Sequence, residues 1–83
     1  MSARHHHRFV EEYDDLVAFG MSREVDEKSI KYYLQKFSDD AFLEILVPRL
    51  KDDEITQIFD LLTHIMKKHL SEDEYHEVFL KDR

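Results

Sequence analysis

The chain has 83 residues, 42% of them hydrophobic and 12% aromatic, with 19 acidic against 12 basic side chains and a formal charge of −7. That length makes one small domain with a modest core, and the apolar content sets it apart from disordered sequences. The negative balance disfavours a nucleic-acid binder, which needs a basic face to displace counterions from phosphates, and disfavours docking on anionic lipid.

The chain has no cysteine, which excludes disulfides, thiolate chemistry and cysteine-ligated zinc. One glycine and one proline are too few for the turns of a β-protein. No apolar run approaches the roughly 20 residues that span a bilayer. The opening Met1–Arg8 segment lacks the apolar stretch of a secretory signal. These features together lead us to expect a cytoplasmic protein.

In chain order, residues 1–5 have no periodicity and are expected to be a disordered N-terminus. The first helix is predicted over His6–Phe19, with His6, Phe9, Val10, Tyr13, Leu16 and Val17 on one face and Gly20 ending it in the left-handed conformation. A second helix follows, with Ser22 or Asp26 as its cap. Ile30, Tyr33, Leu34 and Phe37 form its apolar stripe, and Ser38 reads as the cap of the next helix. The third, Asp39 to about Val47, is apolar nearly all round, which predicts burial on several sides. Pro48 should stop it.

The fourth helix, Asp52–His69, has the longest clean pattern. Ile55, Ile58, Phe59, Leu62, Ile65, Met66 and His69 recur at steps of three and four. Its acidic start, Asp52-Asp53-Glu54, and basic end, Lys67-Lys68-His69, match the helix dipole. The fifth helix opens on a capping box, Ser71 with Glu74, and a hydrophobic staple, Leu70 with Tyr75; residues 82–83 should fray. Phe37–Leu46, Leu50–Phe59 and Leu70–Phe79 share one apolar, cap, acidic and apolar pattern. Their spacings of 13 and 20 residues are unequal, unlike a solenoid repeat. We therefore read three well-capped helix starts rather than a duplication.

Six histidines raise the possibility of a metal site. The run His5-His6-His7 is one candidate, and His64, His69 and His76 lie in the C-terminal half. However, helical zinc pairs sit four apart on one face, whereas His64 and His69 are five apart and diverge by about 140°. The acidic pairs Asp14-Asp15, Asp39-Asp40 and Asp52-Asp53 lack the glycine-centred loop of a calcium site. Those at positions 39, 40, 52 and 53 read as first turns of helices. We expect no metal and no cofactor. Nor is there a nucleophile elbow or phosphate-binding loop, and Ser38 and Ser71 are explained as caps, so no enzyme activity is expected.

The second helix carries the most distinctive surface. Tyr32 points away from the apolar stripe, with Lys28 and Lys36 one turn away on either side and Lys31 adjacent. An exposed aromatic among cations suits the centre of an interface. Equally, lysine stems can simply cover the ring on a solvated face.

The sequence therefore leads to an all-α fold: a compact bundle of about five short helices, helices three and four central, in a single domain over residues 6–81. Its expected function is a small protein–protein interaction or self-association module without catalytic activity, using Tyr32, Lys28, Lys31 and Lys36. The alternatives are a histidine-based metal-binding or sensing protein and a weak nucleic-acid-associated regulator. Excess zinc should leave the melting temperature unchanged; a rise would restore the metal reading.

Overall fold

The computed structural model describes residues 7–82, and the fold is all-α. The expectation for residues 1–5 lies outside the described residues, as do His5 and His6 of the histidine run. Five helices occur in order: α1 (Arg8–Glu12), α2 (Arg23–Phe37), α3 (Asp40–Leu46), α4 (Asp52–His69) and α5 (Glu72–Glu74). A 3-10 turn, Val47–Arg49, follows α3, and α5 runs on into a π-helical segment, Tyr75–Leu80. Within the span expected as one domain, the contacts group into two units, Met1–Arg49 and Leu50–Arg83.

In the first unit, α1 and α3 both pack on α2. The first helix is much shorter than its periodicity suggests. It stops at Glu12, where Tyr13 turns to extended backbone after donating its amide to Phe9 O. Asp14 and Asp15 follow, acids that the negative end of a helix disfavours. The Asp15 side chain accepts instead from the Leu16 amide, a local bond that competes with helix. The remainder runs as an irregular segment to Gly20, whose φ of +92° serves this loop rather than a helix end.

What holds this segment is a ridge of side chains at i, i+3 spacing along α2: Asp26, Ser29, Tyr32 and Gln35. Gln35 Oε1 accepts from the Val10 amide at 2.9 Å, taking one of the orphan donors at the start of α1. Ser29 Oγ accepts from the Ala18 amide at 2.9 Å, and Asp26 Oδ1 from the Gly20 amide at 2.9 Å. Val10 and Ser29 are the buried residues of the described chain.

Ser22 caps α2 by accepting from the Val25 amide. Ser38 sits at the end of α2 rather than the start of α3; its hydroxyl donates to Gln35 O. With that proton used, Ser38 Oγ accepts from His7 Nε2 at 2.6 Å, which ties the chain entry to the far end of α2. Asp39 is the N-cap residue of α3, and the helix gives way to the 3-10 turn before Pro48. The expected burial of α3 on several sides does not hold, since Phe42, Ile45 and Val47 are all exposed. An edge-on contact of Phe42 with Phe37, ring centroids 5.1 Å apart, joins it to α2.

In the second unit, α4 has the bounds its periodicity sets. Its start is half a capping box: Glu54 Oε1 accepts from the Lys51 amide at 2.8 Å, while the Lys51 ammonium has no lone pair with which to reciprocate. At Ser71 the box is complete, with Glu74 accepting from the Ser71 amide and Ser71 Oγ from the Glu74 amide. The three helix starts expected from the repeated pattern are therefore all present, with the cap moved one place, to Asp39, in the first. Asp82 donates its amide to His76 O, and its carboxylate lies 3.0 Å from His76 Nδ1; the expectation for residue 83 lies outside the described residues. The third and fourth helices, expected at the centre, fall in different units, and neither contributes a buried residue.

Ser29→Ala should leave the part-buried Ala18 amide without an acceptor. We expect a loss of about 1–2 kcal/mol in chemical denaturation and faster hydrogen exchange at Ala18. Unchanged exchange there would mean that Ser29 does not hold the loop.

Candidate functional site

The surface singled out by the sequence is engaged within the first unit. Tyr32 lies on the polar ridge of α2 and is half-buried, its ring tilted against Tyr13 at 5.8 Å between centroids. Tyr13 in turn stacks on Phe9 at 4.9 Å. The three lysines have partners: Lys36 Nζ stands 5.2 Å from the Tyr32 ring centre, Lys31 Nζ stands 4.8 Å from that of Phe9, and Lys28 pairs with Glu24 at 3.3 Å. The expected open aromatic hot spot is thus covered by the irregular N-terminal segment. The periodicity predicts helix for that segment, so its reach across α2 is not visible in the pattern.

The most open part of α2 is its apolar stripe, which α3 meets at Phe37. Ile30, Tyr33, Leu34 and Phe37 are turned by roughly 120° from the polar ridge, and Ile30 is 44% and Leu34 52% exposed. Tyr33 stacks at a tilt on Phe37, 5.2 Å between centroids, so the stripe is ordered within itself.

The second unit carries two apolar features. On one side of α4, Phe59, Leu62 and Met66 face Leu70, Tyr75 and Phe79 across a cavity of about 550 Å³. Lys67, Ser71 and Glu72 supply its polar lining. Tyr75 and Phe79, four residues apart in the π-helical segment, stack at 5.6 Å between centroids. This volume falls within the range of small-ligand pockets. On the other side, Ile55, Ile58, Leu61 and Ile65 form an exposed row, with Ile58 at 45% and Leu61 at 59%. The periodicity of α4 predicts a core stripe; the structure leaves it half open.

The histidines are dispersed. His7 bonds Ser38, and His76 bonds Asp82 with Glu72 a further 3.8 Å from its other nitrogen. His64 and His69 are exposed; His69 was expected on the buried stripe. Among the described residues, no three His, Asp or Glu side chains form a group able to hold a metal ion. Among them, too, no helix is long and apolar enough to cross a membrane. Comparison of the chain with protein-family models, curated proteins and solved structures finds no match.

Tyr32→Ala should now cost about 1–2 kcal/mol in chemical denaturation, through the lost ring contacts. Tyr33→Ala, half open on the other face, should stay within about 0.5 kcal/mol. The reverse order would return Tyr32 to the solvent-facing surface expected from sequence.

Proposed function

We propose that the protein is a small interaction module that binds a protein partner or a second copy of itself, and that it works by binding rather than catalysis. One observation carries this reading: each of the two long helices presents an apolar row that stays about half exposed. Fully burying an aliphatic side chain is worth about 1.5–3 kcal/mol, so each half-exposed residue leaves roughly 1 kcal/mol unused. Rows of this kind, larger than scattered apolar residues, mark interaction surfaces.

This reading moves the binding face from the lysine-flanked Tyr32 to the rows on α2 and α4. The lysines that a nucleic-acid reading would need are occupied by Glu24, Phe9 and Tyr32, which adds to the disadvantage of the net charge. The reading takes the protein to be cytoplasmic, in keeping with a chain that has no cysteine.

Cross-linking in native lysate tests it, with Leu34→Glu and Ile58→Glu as paired variants. Wild type should be recovered in a complex, with another protein or itself, and at least one variant should lose that complex while keeping its helical circular dichroism. Wild type recovered alone and monomeric at every concentration would remove the proposal.

A further inference from the structure

We propose that the partner of α4 is a second copy of the same helix, paired antiparallel along the exposed isoleucine row that runs beside the cavity and shares Leu62 with it. This rests on the interaction reading above and specifies the occupant.

The register is explicit over the 18 residues of α4. Taking Ile55 as the first position of a heptad places Ile55, Ile58, Leu62 and Ile65, with His69 at the helix end, on the two core positions of a helix–helix seam. Asp60 and Lys67 fall on the outermost position. Thr56, Gln57, Thr63 and His64 fill the other outward positions, so every position remote from the seam is polar. Leu61 lies beside the seam on the side away from the cavity and is 59% exposed, too apolar for a position facing water alone. Phe59 and Met66 flank the opposite side and line the cavity together with Leu62 of the seam.

Charge decides the direction. Glu54 and Lys68 occupy the same flanking position as Leu61, one heptad before it and one after. In an antiparallel pair that position meets its own equivalent on the partner. Glu54 of each copy then faces Lys68 of the other, and Leu61 meets Leu61 at the two-fold axis. The core layers become Ile55 with Ile65 and Ile58 with Leu62, each formed twice by symmetry. A parallel pair would instead bring the triplet Asp52-Asp53-Glu54 beside its own copy, and Lys67-Lys68 beside theirs. It would also align the helix dipoles, whereas the antiparallel pair sets each acidic, amide-rich start against a basic end.

The chain has no cysteine, so single introduced cysteines report the geometry without background. Leu61→Cys should give a disulfide-linked dimer under mild oxidation, because this position lies on the two-fold axis. Ile55→Cys should not, since it faces Ile65 of the other copy and would meet itself only in a parallel pair. Sedimentation equilibrium should give twice the chain mass for wild type. Lys68→Glu should weaken the dimer roughly tenfold by setting two acids against Glu54 at both symmetric contacts. Lys67→Glu, with the same charge change on the outer face, should leave it unchanged and controls for the helix dipole. A wild type that stays monomeric overturns self-pairing, and the cross-linking in lysate then decides the interaction reading separately. A dimer in which Leu61→Cys fails to cross-link, or in which Lys67→Glu and Lys68→Glu act alike, overturns the α4 register while the interaction reading stands.

Discussion

The first unit depends on one arrangement: backbone amides of an irregular N-terminal segment are accepted by side chains of α2. A five-residue helix has no internal partners for most of its donors, and a loop of eight residues has fewer still. Gln35, Ser29 and Asp26 supply acceptors at Val10, Ala18 and Gly20, each at 2.9 Å. Leaving the part-buried Val10 or Ala18 amide without an acceptor would cost about 1–3 kcal/mol, on the scale of what burying one residue of the apolar stripe returns, and the polar ridge of α2 supplies both acceptors. The segment therefore follows the polar ridge, and the apolar stripe is left uncovered.

The second unit is organised the other way round, by local signals that agree with one another. The acidic first turn, the Glu54 and Ser71 caps, the basic last turn and the heptad spacing all specify helix over the same residues. Agreement of this kind lets a helix hold its bounds with little tertiary support. Consistent with this, α4 keeps its full length although none of its residues is buried. The π-helical segment after α5 is the exception. It ends at Lys81 with φ +57°, a left-handed conformation unusual for a lysine, and His76 with Asp82 closes the turn.

These two cases explain how much could be read from the sequence. The all-α class, the bounds of α4, the Ser71 box and the stop before Pro48 follow from caps, proline and periodicity, which act within a few residues. The end of α1 does not, because Phe9, Val10, Tyr13, Leu16 and Val17 satisfy the helical period even though the chain leaves the helix at Tyr13. What decides the matter is the reach of Ser29 and Asp26, 11 and 6 residues further along from the amides they accept. The burial of Ser29 was hidden for the same reason, since a serine inside a helix carries no sign of which backbone it will meet. Tyr32 lies off the apolar stripe, as the spacing predicts, but Tyr13 occupies that side of α2 and half-buries it.

The same logic bears on why apolar rows remain open. A chain of this size buries a smaller fraction of its surface than a larger domain does. Here the first unit uses its buried positions on Val10 and a hydrogen-bonded serine, not on a cluster of large aliphatic side chains. The folded state of such a chain gains little from its own interior and much from whatever covers Ile30 and Leu34 on α2 or Ile58 and Ile65 on α4. By mass action, a partner that binds only the folded form adds to its stability as the logarithm of partner concentration. Under the proposed association, folding and binding are linked, and covering the exposed rows adds to the stability of the fold.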